Sequence, residues 1–287
     1  MLKKAYVEIT NVCNLRCAFC PGTRRAPRTM SADEFALALD KLRARVRYVY
    51  LHIMGEPLLH PRLDALLDLA AARGLRVCIT TNGTLLGARA DALLRATALH
   101  KVSVSLHSVE ENGGDPAEAR EYLETVWDFA ARAAARGVIV ALRLWNEGAA
   151  DTHNNAILDF LREKTGAHDW AEPRAHSFRL AENLYLEREA AFDWPDLGAD
   201  EAPTEFCQAL RTQIGVLADG TVVPCCLDHE GDLALGNLFT QDLGDILSSP
   251  RARAIFDGFS RRQPAEALCR RCGYALRFNR NARGALD

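Results

Sequence analysis

The sequence predicts an α/β fold in which a partial (β/α)6, TIM-like barrel precedes a small cysteine-ligated domain. Strand and helix signals alternate about six times before residue 181, an acidic stretch follows at 182–206, and five of the nine cysteines lie beyond it. Near-continuous apolar strands that alternate with helices are typical of a parallel sheet covered by helices. Because six units are too few to close an eight-stranded barrel, we expect the sheet to remain open and curved.

The strands and helices of the barrel are predicted from alternation and from boundary residues. We predict strands over residues 5–10, 47–53, 76–81, 101–106, 138–144 and 177–180. Ser31 and Glu34 form a capping box at the start of the first helix. Pro61 opens the second helix, and Gly74 follows its end. A doubly wound sheet is the alternative, but the loop after the first strand lacks the GxGxxG sequence that would favour it.

Composition divides the chain into three segments. We predict a barrel over residues 1–181, an acidic linker over 182–206 and a C-terminal domain over 207–287. The linker prediction rests on eight acidic residues against one arginine, together with two prolines and a glycine. In the last segment, an Asp219-Gly220 turn between two short apolar runs predicts a β-hairpin, and residues 241–259 are predicted to be helical.

Charge and hydropathy exclude several classes of protein. The formal net charge of −3 gives no overall attraction to nucleic acid, so we do not expect a nucleic-acid partner. No apolar run approaches the roughly 18 residues of a membrane span, and the N-terminus lacks the apolar core of a secretory signal. The odd number of cysteines fits poorly with a complete set of disulfides. We therefore expect a cytoplasmic protein without a membrane partner, whose clustered cysteines hold metal.

A CxxxCxxC motif follows the first predicted strand. Its cysteines, Cys13, Cys17 and Cys20, place three thiols within eight residues. Three cysteine ligands would leave one iron of a [4Fe–4S] cluster open to another ligand. A zinc site completed by a remote fourth ligand is the alternative that the spacing leaves open.

A second cysteine set lies in the C-terminal domain, with the spacing C-x17-C-x43-C-x2-C. Its members are Cys207, Cys225, Cys269 and Cys272, and Cys226 is left over. Four cysteines form a closed ligand set, which suits either a structural zinc ion or an iron–sulfur cluster.

The N-terminal motifs resemble those of the radical S-adenosylmethionine (SAM) superfamily. Phe19 is the aromatic residue before the last cysteine of the motif. The sequence Gly55-Glu56-Pro57 after the second strand is similar to the family's GGEP-type motif, with Met54 in place of the first glycine. The sequence Thr81-Asn82-Gly83 after the third strand is similar to the family's TNG.

The resemblance implies a [4Fe–4S] cluster at the barrel mouth, on Cys13, Cys17 and Cys20, whose open iron binds SAM. Gly55 and Glu56 would receive the SAM ammonium, because an ammonium needs charged or carbonyl acceptors. Phe19 would support the adenine, and Ser105 and Arg143 would reach the ribose or the carboxylate. The remaining residues of the predicted SAM site are Pro57, Asn82 and His107.

The C-terminal motifs resemble the SPASM/twitch extensions of radical SAM enzymes. The order C-x12-G-x4-C, Gly236-Asn237-Leu238, CxxC, with no cysteine beyond, is similar to the shorter twitch form of the 2-deoxy-scyllo-inosamine dehydrogenase type. This resemblance implies one auxiliary [4Fe–4S] cluster on the four C-terminal cysteines. In SPASM dehydrogenases an aspartate base follows the second cysteine, whereas Cys226 stands there in this chain. The candidates for a proton acceptor are therefore Asp228, His229 and Cys226.

The resemblance implies an oxidoreductase. A flavodoxin- or ferredoxin-type donor would reduce the first cluster, and reductive cleavage of SAM would give a 5′-deoxyadenosyl radical that abstracts a substrate hydrogen atom. We expect dehydrogenation of a small molecule, with the auxiliary cluster as the electron acceptor. One alternative is a peptide maturase that forms crosslinks or epimers, although the first strand near residue 5 leads us to expect no leader-peptide-binding domain ahead of the barrel. A zinc-stapled, non-enzymatic binding module on the same barrel is the second alternative.

Overall fold

The computed structural model describes residues 2–108, 110–112, 116–149 and 151–279, and it confirms the α/β partial barrel. The last eight residues of the predicted C-terminal domain, 280–287, lie outside the described residues. The elements of the barrel are β1 Lys4–Val7, α1 Ala32–Leu42, β2 Tyr48–Tyr50, α2 Leu63–Ala72, β3 Arg76–Thr81, α3 Leu86–Arg95, β4 Leu99–Ser105, α4 Pro116–Ala135, β5 Ile139–Glu147, α5 Asn154–Thr165, β6 Ala171–Arg174, β7 Ser177–Ala181 and β8 Leu184–Ala190.

The C-terminal part of the chain is built from a hairpin and three short helices. Its elements are β9 Gln213–Val216, β10 Thr221–Val223, β11 Gly236–Asn237, α6 Leu243–Ser248, α7 Pro250–Ser260 and α8 Ala267–Arg270. The predicted hairpin is confirmed as β9 and β10. The predicted helix over 241–259 is two helices in the structure. Ser249 ends α6 and is the N-cap of α7, which begins at Pro250.

The eleven described strands form one sheet, in the order β11-β10-β9-β1-β2-β3-β4-β5-β8-β7-β6. Strands β1 to β5 and β8 are parallel, as the sequence predicts. Strand β9 also pairs in parallel with β1, with Ala5 opposite Ile214. The C-terminal hairpin therefore extends the barrel sheet at its β1 edge and brings the second cysteine set beside the first strand.

The sixth parallel strand differs from the sequence interpretation. Residues 177–181 do form a strand, β7, but it is antiparallel, and the sixth parallel strand is β8. Part of the predicted acidic linker, residues 184–190, is therefore a strand and not a linker. The charged residues that suggested a linker alternate along β8, where Leu184 and Leu186 are buried and Glu187 faces Arg143 of β5.

One large core lies between the sheet and the helices. Alternate strand residues such as Val7, Val49, Val102 and Leu142 join the buried faces of the helices in a single apolar cluster. The intervening strand residues point to the other face of the sheet, because successive side chains in a strand point to opposite faces. These intervening residues are largely polar, and they line the interior of the partial barrel.

A local signal fixes the start of α1 as the sequence predicts, whereas α2, for which the sequence predicts a start at Pro61, begins at Leu63. At α1 the Ser31 hydroxyl accepts a hydrogen bond from the Glu34 amide, and the Glu34 carboxylate accepts one from the Ser31 amide. This reciprocal pair is the predicted capping box. Within the described part of the chain, no helix has the length and apolar character required to cross a membrane.

Candidate active site

The CxxxCxxC cysteines lie on the loop that follows β1. Cys13 is exposed, whereas Cys17 and Cys20 are half-buried. Two asparagines from neighbouring loops donate to this set: the Asn112 amide lies 3.1 Å from the Cys17 sulfur, and the Asn82 amide lies 4.0 Å from the Cys13 sulfur. The loop thus holds three accessible thiols, two of them near side-chain donors, which is the arrangement expected for a cluster that must also meet a second ligand.

The predicted SAM-binding loop after β2 lies directly against the cysteine loop. Gly55 has a φ of +77°, and a Cβ on it would lie 2.4 Å from the Thr10 carbonyl oxygen and 2.8 Å from the Val12 carbonyl oxygen. Only glycine permits this approach. The Glu56 amide donates to the Val12 carbonyl at 2.9 Å, which ties the two loops together.

Glu56 is more deeply enclosed than a simple acceptor for the SAM ammonium would be. It is 2% exposed, and its carboxylate accepts hydrogen bonds from the Thr81 hydroxyl, the Asn82 amide and the Leu58 amide. Burial raises the pKa of this carboxyl, while the three donors lower it. Glu56 therefore joins the loop after β2, where Pro57 begins a short 3-10 turn, to the loop after β3. Its contact with SAM stays a prediction.

Asn82 orients the cysteine loop. Its amide donates to the Asn14 side-chain oxygen at 2.9 Å, and its own oxygen accepts from the Thr84 hydroxyl at 2.7 Å. Ser105, at the end of β4, is opposite Arg143 of β5 in the sheet register. These side chains are therefore gathered at the carboxyl ends of the parallel strands, where sites in such sheets form.

The structure brings Phe19, His107 and Arg143 together. The rings of Phe19 and His107 are 4.9 Å apart, and His107 Nδ1 lies 3.2 Å from the Arg143 carbonyl oxygen. His107 is 3% exposed, and burial lowers its pKa to about 4. The Arg143 guanidinium is turned toward β8, where its Nε donates to Glu187 at 3.0 Å. Phe19, at 38% exposure, is left with a ring face available for a flat ligand such as adenine.

Sequence reasoning missed a buried carboxylate that connects three segments. Glu8 is fully buried and accepts two hydrogen bonds from the Arg25 guanidinium, at 2.8 and 2.7 Å. It also accepts from the amide of Met54, in the predicted SAM-binding loop, and from the amide of Ala218, in the C-terminal hairpin, both at 3.1 Å. The available signal was the alternation of β1, because Glu8, one residue beyond the strand, continues the series of Lys4 and Tyr6 that faces the barrel interior.

The C-terminal thiols converge on one cavity of about 270 Å³. Its lining includes the four predicted ligands and also Cys226, Asp228, Lys4 and Tyr6. Burial, with a smaller contribution from a neighbouring cysteine in each case, raises the pKa values of Cys207 and Cys272 to about 11. Burial and the charges of four other cysteines raise the pKa of Cys225 well above its ordinary value.

The three candidate proton acceptors occupy different environments. Asp228 is buried, its Oδ2 accepts from the Leu233 amide at 2.9 Å, and its Oδ1 is buried without a hydrogen-bond partner. Burial raises the pKa of Asp228 to about 6. His229 packs instead against Trp194, with ring centroids 5.5 Å apart, and lies 3.7 Å from Glu230. Cys226 packs against Tyr6 in a small apolar cluster at the cavity.

The thiols present fit iron–sulfur clusters on the chemistry of the donor set, since such clusters are held by cysteine thiolates. Buried thiolates this close repel one another, so a cationic metal core would stabilise them. Among the described residues, no three or more His, Cys, Asp or Glu side chains come together as the ligands of a single metal ion. The N-terminal three and the C-terminal four cysteines are instead the sets whose donor chemistry suits a [4Fe–4S] cluster, in which each thiolate binds a different iron.

Comparisons with known proteins match one family model to the barrel and another to the C-terminal domain. The family model described as "Radical SAM superfamily" matches residues 7–146, and the SPASM model, described as "Iron-sulfur cluster-binding domain", matches residues 207–273. A Radical SAM domain implies a [4Fe–4S] cluster and SAM, and a SPASM domain implies auxiliary iron–sulfur clusters.

Two relatives illustrate the range of similar sequences. The GTP 3′,8-cyclase of Chlorobaculum tepidum is 34% identical over 130 residues, which are 42% of this chain and 37% of the relative. The antilisterial bacteriocin subtilosin biosynthesis protein AlbA of Bacillus subtilis is 22% identical over 94% of this chain and 65% of its own length. The chain thus spans less than two thirds of either relative.

Solved structures show the same fold. BtrN in complex with AdoMet and 2-DOIA is 16% identical, with a TM-score of 0.56 over 95% of this chain and 93% of BtrN. Another structure, anSMEcpe with bound AdoMet, is 13% identical, with a TM-score of 0.61 over 88% of this chain and 82% of the anSMEcpe chain. Streptococcus suis SuiB bound to precursor peptide SuiA has a TM-score of 0.55 at 16% identity, over 89% of this chain and 66% of SuiB. On the two family-model matches, residues 7–146 belong to the radical SAM superfamily, and residues 207–273 belong to the SPASM family of iron–sulfur cluster-binding domains.

Proposed function

We propose that the protein is a radical SAM oxidoreductase that dehydrogenates a polar small molecule. The observation that carries this proposal is the shared cavity: Lys4 and Tyr6 from the barrel interior line the same 270 Å³ space as the four C-terminal thiols. A substrate in the barrel would therefore lie between the predicted SAM site at the strand ends and the predicted auxiliary site at the β1 edge. That placement suits an oxidation in which an electron leaves the substrate.

The bound groups supply the chemistry that the side chains lack. When bound, SAM and the two clusters supply abstraction of one substrate hydrogen atom and an acceptor for the remaining electron. The chain positions and encloses these groups. The Gly55 loop approaches the cysteine loop closely, and the Phe19 ring packs against His107, just after the end of β4.

Oxidation of an alcohol to a carbonyl also requires a proton acceptor, and Asp228 is the residue that we propose for it. Its Oδ1 is buried at the cavity without a partner, and its pKa of about 6 lets it accept a proton near neutral pH. The hydroxyl proton would pass to this carboxylate as the carbon–oxygen bond becomes a carbonyl. His229 is less suited, because its ring packs against Trp194 and Glu230.

Peptide modification is the second candidate function. It is favoured by the relatives, since AlbA is named as a subtilosin biosynthesis protein and SuiB is solved with a precursor peptide. For either function we propose a cytoplasmic setting and a flavodoxin- or ferredoxin-type electron donor.

The test compares two substrate panels under anaerobic conditions with SAM and dithionite. Polyols and sugar acids form one panel, and unmodified peptides form the other. We expect a small-molecule product two mass units lighter than its substrate, together with 5′-deoxyadenosine. Product formation should increase as the pH rises through about 6, because Asp228 must be deprotonated to accept a proton.

Asp228→Asn should reduce product formation and remove this pH dependence, whereas 5′-deoxyadenosine should still form. Asp242→Asn, at an exposed position of the C-terminal domain, is the matched control and should behave as the unaltered protein. A modified peptide with no small-molecule product would replace the proposal with the second candidate function.

A further inference from the structure

The interior of the partial barrel contains more positive groups than carboxylates. Lys101 and Arg143 share one carboxylate, Glu187, at 2.8 and 3.0 Å. The Lys4 amine contacts the Tyr6 hydroxyl at 2.9 Å and lies over the rings of Tyr6 and Tyr50. The interior therefore carries positive charge that a bound ligand could neutralise.

Trp145 lies between two of the guanidinium groups. The Arg143 guanidinium carbon is 4.4 Å from the Trp145 ring centroid, and that of Arg277 is 5.9 Å from the same ring. Arg277 also stacks on Tyr274 at 3.9 Å, and its nearest carboxylate oxygen, on Glu189, is 3.9 Å away. Residues distant in the chain, from β5 and from the C-terminal domain, thus meet at one indole ring.

Two obligate donors at this point have no acceptor. Trp145 Nε1 and Arg277 Nε are both buried without a hydrogen-bond partner among the described residues. An indole N–H and a guanidinium N–H can donate but cannot accept. A buried donor without a partner costs about 1–3 kcal/mol. Both N–H groups therefore require an acceptor that none of the described residues provides.

The location links this point to both predicted cofactor sites. The Trp145 amide lies 3.4 Å from His107 Nδ1, and the His107 ring contacts Phe19 at the predicted SAM site. On the other side, Tyr274 lines the cavity of the C-terminal thiols. A substrate that reaches both sites would pass Trp145.

We propose that Arg143, Trp145 and Arg277 form an oxyanion-binding subsite, which holds a carboxylate or phosphate group of the substrate. Guanidinium groups bind such oxyanions through paired, charge-assisted hydrogen bonds. The inference rests on the proposed function in one respect, since it takes the barrel interior as the substrate site. It narrows the substrate to an acidic small molecule and disfavours a neutral polyol or an amine.

Inorganic phosphate and acetate are the probes for this subsite. Their binding to the full chain with both clusters reconstituted is measured by equilibrium dialysis, first without SAM and then with SAM. We expect saturable binding of one equivalent of at least one probe, and no binding of glucosamine. Tighter binding of phosphate would indicate a phosphoryl group, and tighter binding of acetate a carboxylate.

Trp145→Phe is the sharpest variant, because it keeps an aromatic ring for both guanidinium groups and removes only the N–H donor. We expect probe affinity to fall by about tenfold, the loss typical of one hydrogen bond to a charged group. Arg277→Met should weaken binding further, and Arg277→Lys should restore part of it.

Arg211→Met is the matched control. Arg211 also has a buried, unpartnered Nε and stacks on an aromatic ring, that of Phe256 at 4.2 Å, but it lies outside the barrel. Probe affinity should be unchanged in this variant.

Equal probe affinity in Trp145→Phe and the unaltered protein would overturn the inference. So would displacement of the probes by SAM, since the subsite would then belong to the SAM carboxylate. Failure of the inference alone would leave two clusters and 5′-deoxyadenosine formation intact, whereas failure of the proposed function would appear as absence of the dehydrogenated product.

Discussion

The two cysteine sets differ in how the fold brings their thiols together. Cys13, Cys17 and Cys20 lie within eight residues of one loop and remain exposed or half-buried. The C-terminal four are spread over residues 207–272, and they meet only because the β9–β10 hairpin and α8 enclose one cavity. The first set is therefore determined by local sequence and is open to a second ligand, whereas the second set depends on tertiary folding and is enclosed.

Burial follows the same division. Burial raises the pKa values of both Cys13 and Cys20, but the Cys13 sulfur remains near the Asn82 side-chain amide of a neighbouring loop. The C-terminal thiols are more deeply enclosed, and Cys225 experiences the charges of four other cysteines. This difference suits a reactive site in the first case and a site that only receives an electron in the second.

The largest effect is expected at the open set. Cys13→Ala, Cys17→Ala and Cys20→Ala should each abolish SAM cleavage, because three thiolates leave one iron open for SAM and two would not hold the cluster. The measurement is 5′-deoxyadenosine formed with dithionite. Cys78→Ala, which removes a buried thiol of β3, is the control and should retain cleavage. Wild-type rates in any of the three variants would contradict the assignment.

The enclosed set can be removed without the open one. Cys269→Ala combined with Cys272→Ala should lower the iron content from about eight to about four per chain, since each [4Fe–4S] cluster holds four irons. The variant should still form 5′-deoxyadenosine but no dehydrogenated product. If the double variant and the unaltered protein both contain about four irons per chain, and the unaltered protein also contains one zinc, the C-terminal set holds zinc.

A variant of Glu8 tests how much this residue stabilises the contact between the barrel and the C-terminal hairpin. Glu8→Gln removes the fully buried carboxylate that pairs with Arg25, whose side chain is 16% exposed, and breaking a buried pair typically costs about 3–5 kcal/mol. The measurement is the free energy of unfolding in denaturant. Glu8→Gln combined with Arg25→Met should recover part of the loss, because no buried charge is then left unpaired.

The surface pair Arg73–Asp40 gives the matched control for Glu8. It has a similar paired geometry, at 3.0 and 2.8 Å, but is partly exposed to solvent. Arg73→Met should therefore cost about 1 kcal/mol or less. A similar loss of unfolding free energy in the Glu8 and Arg73 variants would show that Glu8 does not stabilise the contact between the barrel and the C-terminal hairpin.

The smallest effect is expected at Glu56. One oxygen of Glu56 accepts hydrogen bonds from Thr81 and Leu58, and the other accepts one from Asn82. Glu56→Gln replaces one of these oxygens with an NH₂ group, which donates and cannot accept. SAM affinity should fall by roughly tenfold, equivalent to about 1.5 kcal/mol, as the loops shift. Glu121→Gln, at an exposed position of α4, should leave the affinity unchanged. Equal affinities in both variants would remove Glu56 from the SAM site.

The same contrast explains what could be predicted from the sequence. The alternating apolar strands, the Ser31 capping box and the CxxxCxxC loop are local patterns, and the structure confirms the fold that they predict. The pairing of β9 with β1 and the role of β8 are not local, because they depend on which strand edge is left unpaired. The Glu8–Arg25 pair and the contact of Arg277 with Trp145 were missed for the same reason.

Electron paramagnetic resonance tests the central claim most directly, namely that one chain holds an open cluster and an enclosed one. Spectra of the dithionite-reduced protein at low temperature are compared with and without SAM. The account predicts two [4Fe–4S] signals, of which SAM perturbs only the one that is lost in Cys13→Ala. A single signal accompanied by stoichiometric zinc, or a perturbation of both signals by SAM, would contradict it.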